Sequence, residues 1–177
     1  LHQALGQSCE IIEEGLNGRT TVLDDPIESG RSGLAYLDPC LRSHAPFDLI
    51  ILMLGTNDLK LRFSLPPADI ALGLRQLVVL IRNSEAGIDG HPPGILLVCP
   101  PPLGRLPESE ESFEGAEPKS RRLSSHYAAV AAEFGCLFLD AGRVIVSSDI
   151  DGIHFEAAEH RKLGLAIAQK LREAKVV

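Results

Sequence analysis

In the segment Asp151-Gly152-Ile153-His154 an imidazole follows a carboxylate by three residues, in a loop just ahead of the last amphipathic stretch. A turn of that length can bring the carboxylate onto one ring nitrogen and leave the other free to take a proton. An Asp placed so orients a general base and stabilises its cation. The ordinary alternative is a loop histidine near the start of a helix, one of six in the chain. A second candidate is Asn57, in Gly55-Thr56-Asn57-Asp58, whose side-chain amide could donate to a developing oxyanion. The same Asn-Asp pair would serve equally well in a plain Asx-turn. A third is Gly18, in Gly15-Leu16-Asn17-Gly18-Arg19-Thr20-Thr21. Lacking a Cβ, it lets its N–H approach a ligand closely, or simply permits positive φ in a turn.

Other chemistries fit these residues less well. A calcium loop through Asp149 and Asp151 would need twelve residues closed by a Glu, and that pattern is missing. Zinc at His154 lacks a second well-spaced His or Cys, so no metal is expected there. Cys99, near the end of an apolar run, could be a thiol nucleophile, but a small buried hydrophobe is the favoured reading. No Gly-rich loop follows a strand, which speaks against phosphate or nucleotide binding.

The elements that must position these residues are legible from periodicity. Residues 48–54 (DLIILML) are continuously apolar after the first, as in a strand buried on both faces. Gly55 and Asn57-Asp58 end the run too soon for a helix, so Asn57 falls in the turn at the strand's carboxyl end, where open α/β sheets place ligands. Residues 95–99 read as a second such strand, stopped by Pro100-Pro101-Pro102, and 136–139 as a third. Residues 9–14 read as a further short strand, followed by a turn-rich loop over 15–32. Helices are expected at 34–44 with an interruption near Pro39, at 66–82 with Ile70, Leu74, Leu77, Val78 and Ile81 on one face, at 119–134 and at 157–175. Residues 1–5 look like the tail of a helix closed by Gly6. A long acidic loop over 103–117 is a candidate lid or rim, with subunit contact in a homo-oligomer as the other reading of Glu108 to Glu117. Four strands alternating with helices predict a doubly wound α/β domain, the four parallel, residues 48–54 interior and helices on both faces.

Composition bounds the remaining choices. At 177 residues the chain is expected to be one domain, and 45% hydrophobic with 23% charged residues is ordinary for a soluble protein. A net charge of −7 argues against a nucleic-acid surface. No apolar run approaches the ~20 residues of a membrane span, and the first residues lack the basic start and apolar stretch of a signal peptide. Cys9, Cys40, Cys99 and Cys136 are widely spaced, which suits buried thiols of a reduced cytoplasm.

Taken together, these segments resemble the SGNH (GDSL-type) hydrolase superfamily. Asn17 to Thr21 (NGRTT) is similar to its second block, Gly55 to Asp58 (GTND) to its third and Asp151 to Phe155 (DGIHF) to its fifth. Val98 to Leu103 (VCPPPL) resembles a strand end of its arylesterase-like branch. The resemblance spans essentially the whole chain. It implies a flavodoxin-like three-layer α/β/α fold, His154 as base, Asp151 as its orienter, and the Gly18 N–H and Asn57 Nδ2 as oxyanion-hole donors. It also implies small acyl esters as substrates, hydrolysed or transferred, with no cofactor. The first block, a strand ending in Gly-Asp-Ser with the nucleophile, is not in the sequence. Ser8, Ser29, Ser32, Ser43 and Ser64 lack its context. The implied strand order would make that missing strand central, so the serine is expected ahead of Leu1. The competing expectation is a non-catalytic binding or assembly protein that keeps the site's shell without its nucleophile.

Overall fold

The computed structural model describes residues 1–108 and 110–177, with Ser8 described by its backbone alone. Three apolar runs form the sheet: β1 (Leu49–Leu52), β2 (Gly94–Cys99) and β3 (Leu137–Asp140). They pair in parallel in the order β1-β2-β3, with Ile51 opposite Leu96 and Leu97 opposite Phe138. Parallel neighbours need long crossovers, and helices provide them. The helices α1 (His2–Leu5) and α2 (Gly33–His44) precede β1. α3 (Pro67–Arg82) joins β1 to β2, α4 (Ala116–Ser120) and α5 (Leu123–Phe134) join β2 to β3, and α6 (Ala157–Glu173) follows β3.

Successive strand residues point to opposite faces, and both faces are covered. Ile50, Leu52, Ile95, Leu97 and Phe138 pack into one core with Leu41 of α2, Ile70 and Leu74 of α3 and Tyr127 of α5. Leu49, Ile51, Leu96, Val98 and Leu137 pack into another with Leu163, Ile167 and Leu171 of α6 and with Leu5 of α1. This is the expected three-layer α/β/α architecture. Burial on two sides explains why the strands read as unbroken apolar runs instead of alternating ones. On α3, Ile70, Leu74, Leu77, Val78 and Ile81 are all fully buried, and Pro67 occupies the first turn, where its missing N–H costs no helical bond.

Three expectations need correction. Residues 9–14 form no strand; a strand exists only through a ladder, and β1 is in register with β2 instead. Cys9 has extended backbone angles, Ile12 is exposed, and Glu14 turns its side chain toward α2. The sheet therefore has three described strands, not four. For the same reason β1 lies on an edge of it instead of inside, with Leu49, Ile50 and Ile51 only half-buried. Finally, α2 runs unbroken through Pro39, although a proline there removes one helical N–H. Its start is secured by Ser32, whose Oγ accepts the Ala35 N–H at 3.2 Å, and Leu41 beyond the proline is buried in the core.

Ser109, in the acidic loop over 103–117, lies outside the described residues. Around it the loop is anchored: Leu103 and Phe113 are buried, and the Leu103 N–H donates to Ser120 Oγ at 2.9 Å.

Candidate active site

Because the three strands run the same way, their carboxyl ends share one edge of the molecule, and two candidate segments gather there. The turn holding Asn57 follows β1 directly. Gly55 makes this turn possible: its φ is +120°, and a Cβ added there would lie 2.0 Å from the Tyr127 hydroxyl. That hydroxyl donates to the Leu54 carbonyl at 2.9 Å, so the strand end, the turn and α5 are fitted as one unit. Gly55→Ala should therefore destabilise the fold by about 2–6 kcal/mol, backbone strain and overpacking combined, read as a lowered denaturant midpoint.

From this turn two consecutive side chains reach back to the loop carrying Gly18. Asn57 Nδ2 donates to the Arg19 carbonyl at 3.1 Å. Asp58 is fully buried; its two carboxylate oxygens accept the Thr21 N–H at 3.0 Å each, and Oδ1 accepts the Thr21 hydroxyl at 2.5 Å. Burial pushes the Asp58 carboxyl up and the Thr21 hydrogen bonds pull against it, leaving its pKa above the ordinary value. The Asx-turn alternative thus gives way to a tertiary clasp. Asp58 and Thr21 are the residues that sequence reasoning missed; the buried Asp next to Asn57 was read only as turn chemistry. Gly18 itself is buried at φ +77°, and among the described residues no hydrogen bond takes up its N–H.

The same loop is held at its far side by Asp25, whose side chain is fully buried. Asp25 Oδ1 accepts from Ile27 N–H at 2.9 Å and from Arg62 Nη1 at 3.0 Å, and Lys60 Nζ lies 3.5 Å from Oδ2. Burial raises the carboxyl, but the backbone N–H groups of Ile27 and Glu28 and the Arg62 guanidinium outweigh it and hold the pKa at about 2. A depressed carboxylate contributes stability above its unfolded pKa and loses it as pH falls toward the folded value. The Asp25 contribution should thus be complete above about pH 4 and disappear toward pH 2. Asp25→Ala strands the buried Lys60 without its counter-charge and should cost about 3–5 kcal/mol in chemical denaturation at neutral pH.

The Asp151–His154 turn is tied to Gly104 and Arg105, in the loop that follows β2. Gly104 N–H donates to the Gly152 carbonyl at 2.8 Å, and Ser148 N–H donates to the His154 carbonyl at 2.7 Å. Gly152 sits at φ +73°, and a Cβ there would come within 2.7 Å of the Arg105 carbonyl oxygen, so the close approach requires glycine. Asp151 Oδ1 accepts the N–H groups of Ile153 and His154 at 2.8 and 2.9 Å. Its Oδ2 lies 2.7 Å from His154 Nδ1. Partial burial raises the Asp151 carboxyl, but the Ile153 N–H and the His154 side chain and N–H outweigh it, so its pKa lies below the ordinary value. The imidazole is exposed, and among the described residues no hydrogen bond occupies its Nε2.

Among the described residues, no serine hydroxyl is hydrogen-bonded to the His154 ring. Ser32, Ser43 and Ser64 donate to the carbonyls of Val22, Pro39 and Leu61. Cys99 is buried with its thiol on the Pro100 carbonyl, and desolvation, with the nearby Asp140 charge, pushes its pKa up to about 12. A thiol held protonated there behaves as a small hydrophobe, as favoured from the sequence, and not as a nucleophile.

The comparisons with known proteins agree with this frame. A family model described as the GDSL-like Lipase/Acylhydrolase family matches residues 1–162. The chain belongs to this family. Within it, the M. smegmatis aryl esterase is 44% identical, with 97% of this chain and 81% of that one covered at a TM-score of 0.92. A carbohydrate acetylesterase from Sinorhizobium meliloti is 43% identical, with 97% and 82% covered at 0.93. A lipase/acylhydrolase from Enterococcus faecalis is 19% identical, with 89% and 72% covered at 0.60, and shares the fold alone. No curated protein sequence matches the chain. The parallel sheet with helices on both faces is thus the SGNH hydrolase fold of this family.

Proposed function

We propose that this protein is an ester hydrolase acting on small acyl esters, in which His154 is the general base, Asp151 orients it, and the Gly18 N–H and Asn57 Nδ2 receive the oxyanion. The observation that carries the reading is the 2.7 Å contact between Asp151 Oδ2 and His154 Nδ1, which leaves Nε2 open at the sheet's carboxyl edge. With Nδ1 held by the carboxylate, Nε2 is the nitrogen free to accept a proton from a serine hydroxyl. The imidazolium that forms is stabilised by the anionic Asp151. The attacked carbonyl oxygen then gains charge where the unoccupied Gly18 N–H and the second N–H of Asn57 can donate to it.

The nucleophile in this reading is a serine on chain preceding Leu1, on a strand laid along the edge of β1 opposite β2. The acyl-enzyme formed on that serine would pass its acyl group to water, or to an acceptor alcohol in acyl transfer. The two named structures above 40% identity are an aryl esterase and a carbohydrate acetylesterase, which supports the substrate class. The thiols of Cys40, Cys99 and Cys136, none of them in a disulfide, support a reducing, cytoplasmic setting, and no described helix is long and apolar enough to cross a membrane.

The test is hydrolysis of p-nitrophenyl acetate by two forms of the protein. The form carrying the upstream segment should turn over, and the 177 residues alone should not. Failure of the longer form to hydrolyse or bind short esters would favour the non-catalytic binding or assembly protein.

A further inference from the structure

Away from His154, one face of α2 carries Tyr36, Cys40 and His44 at successive four-residue steps, so that their side chains stack above one another along the helix. Glu14, from the segment ahead of the Gly18 loop, reaches this face. Its Oε1 lies 2.7 Å from His44 Nε2, and the Tyr36 hydroxyl donates to its Oε2. One ligand atom each from Glu14, Cys40 and His44 falls within 4.8 Å of the others. We propose that Glu14, Cys40 and His44 form a binding site for a borderline-soft divalent cation, with Zn2+ as the ion that fits best.

The donor set selects the metal. A thiolate, an imidazole and a carboxylate together suit Zn2+, whereas Mg2+ and Ca2+ take oxygen ligands. Three protein ligands leave a fourth tetrahedral position for water. Bonds of about 2.0–2.3 Å to a tetrahedral ion put its ligands roughly 3.3–3.8 Å apart. Closure therefore asks the present cluster for side-chain shifts of about 1 Å, with His44 Nε2 and Glu14 Oε1 exchanging their mutual contact for the ion.

The surroundings are built as a supporting shell. Tyr36 pins Oε2 and so presents Oε1 to the site, the type of hydrogen bond that orients a carboxylate ligand. Arg19 stacks its guanidinium 3.8 Å over the Tyr36 ring and donates through Nη1 to the Glu14 carbonyl at 2.8 Å, fixing both. The Cys40 thiol is raised by burial and by the Glu14 charge, so it is protonated without the ion. Binding then forms the S–Zn bond with release of that proton to solvent. Cys40 is in no disulfide, leaving this thiol available. A cation here would clamp the chain ahead of Gly18 to α2.

Titration of chelator-treated protein with Co2+ tests the site, because a cobalt–thiolate bond produces a charge-transfer band in the near ultraviolet. The band should saturate at one Co2+ per chain and be displaced by Zn2+. It should vanish in Cys40→Ser, persist in Cys136→Ser, and require on the order of tenfold or more Co2+ in Tyr36→Phe. Circular dichroism should show each variant folded. Absence of the band in the native protein, or its survival in folded Cys40→Ser, would overturn the proposal. Because the readout is metal binding and not ester hydrolysis, it stands or falls independently of the proposed activity.

Discussion

His154→Ala, in a form of the protein that carries the proposed upstream serine, should lower kcat for a short p-nitrophenyl ester by about 10⁴-fold or more, with the fold intact. A serine hydroxyl is a poor nucleophile until a base removes its proton, and the ring that would do so is oriented by one contact, Asp151 Oδ2 to Nδ1 at 2.7 Å. The side chain is exposed and its Nε2 has no partner among the described residues, so truncation removes little packing. The loss should therefore fall on kcat and not on stability. Asp151→Asn should follow in the same direction, because its amide could hold the imidazole in the wrong tautomer. It should also cost some stability, since Asp151 Oδ1 accepts two backbone N–H groups. Unchanged hydrolysis by folded His154→Ala would place the base elsewhere.

Asn57→Ala should lower kcat by roughly 10²–10³, the usual loss for one oxyanion donor. Its side chain has two N–H groups, and one is already committed to the Arg19 carbonyl at 3.1 Å. Truncation therefore removes a donor and also one of the ties holding the Gly18 loop. The second tie, Asp58 to Thr21, remains, so the loop should stay docked and KM should change much less than kcat. A KM effect as large as the kcat effect would mean that Asn57 binds the ground state and not the oxyanion.

Much of this layout could be read from residue order alone. The apolar runs that became β1, β2 and β3 announced two-sided burial. The spacing of Ile70, Leu74, Leu77, Val78 and Ile81 placed the buried face of α3. The three-residue separation of Asp151 and His154 is a local geometry, which is why a turn could be inferred and their contact found. What failed depended on partners distant in the chain. Residues 9–14 have the composition of a strand but no ladder, and β1 lies on an edge for the same reason. Asp58 looked like a turn former because its true partner, Thr21, is 37 residues earlier. Nothing in the 25 residues between Glu14 and Cys40 signals that a helix will bring them together. Gly55 was seen as a breaker of the apolar run, while its stricter requirement comes from Tyr127, which no local pattern could reveal.

The proposed activity rests most heavily on its proposed nucleophile, a serine ahead of Leu1 whose hydroxyl would pass its proton to His154. Labelling the longer protein with a fluorophosphonate, which captures an activated serine, and mapping the modified peptide tests this directly. The account predicts a single labelled serine ahead of Leu1, with labelling lost in His154→Ala and slowed in Asn57→Ala. Label on a serine within the 177 residues, or full ester hydrolysis with no serine labelled, would contradict it.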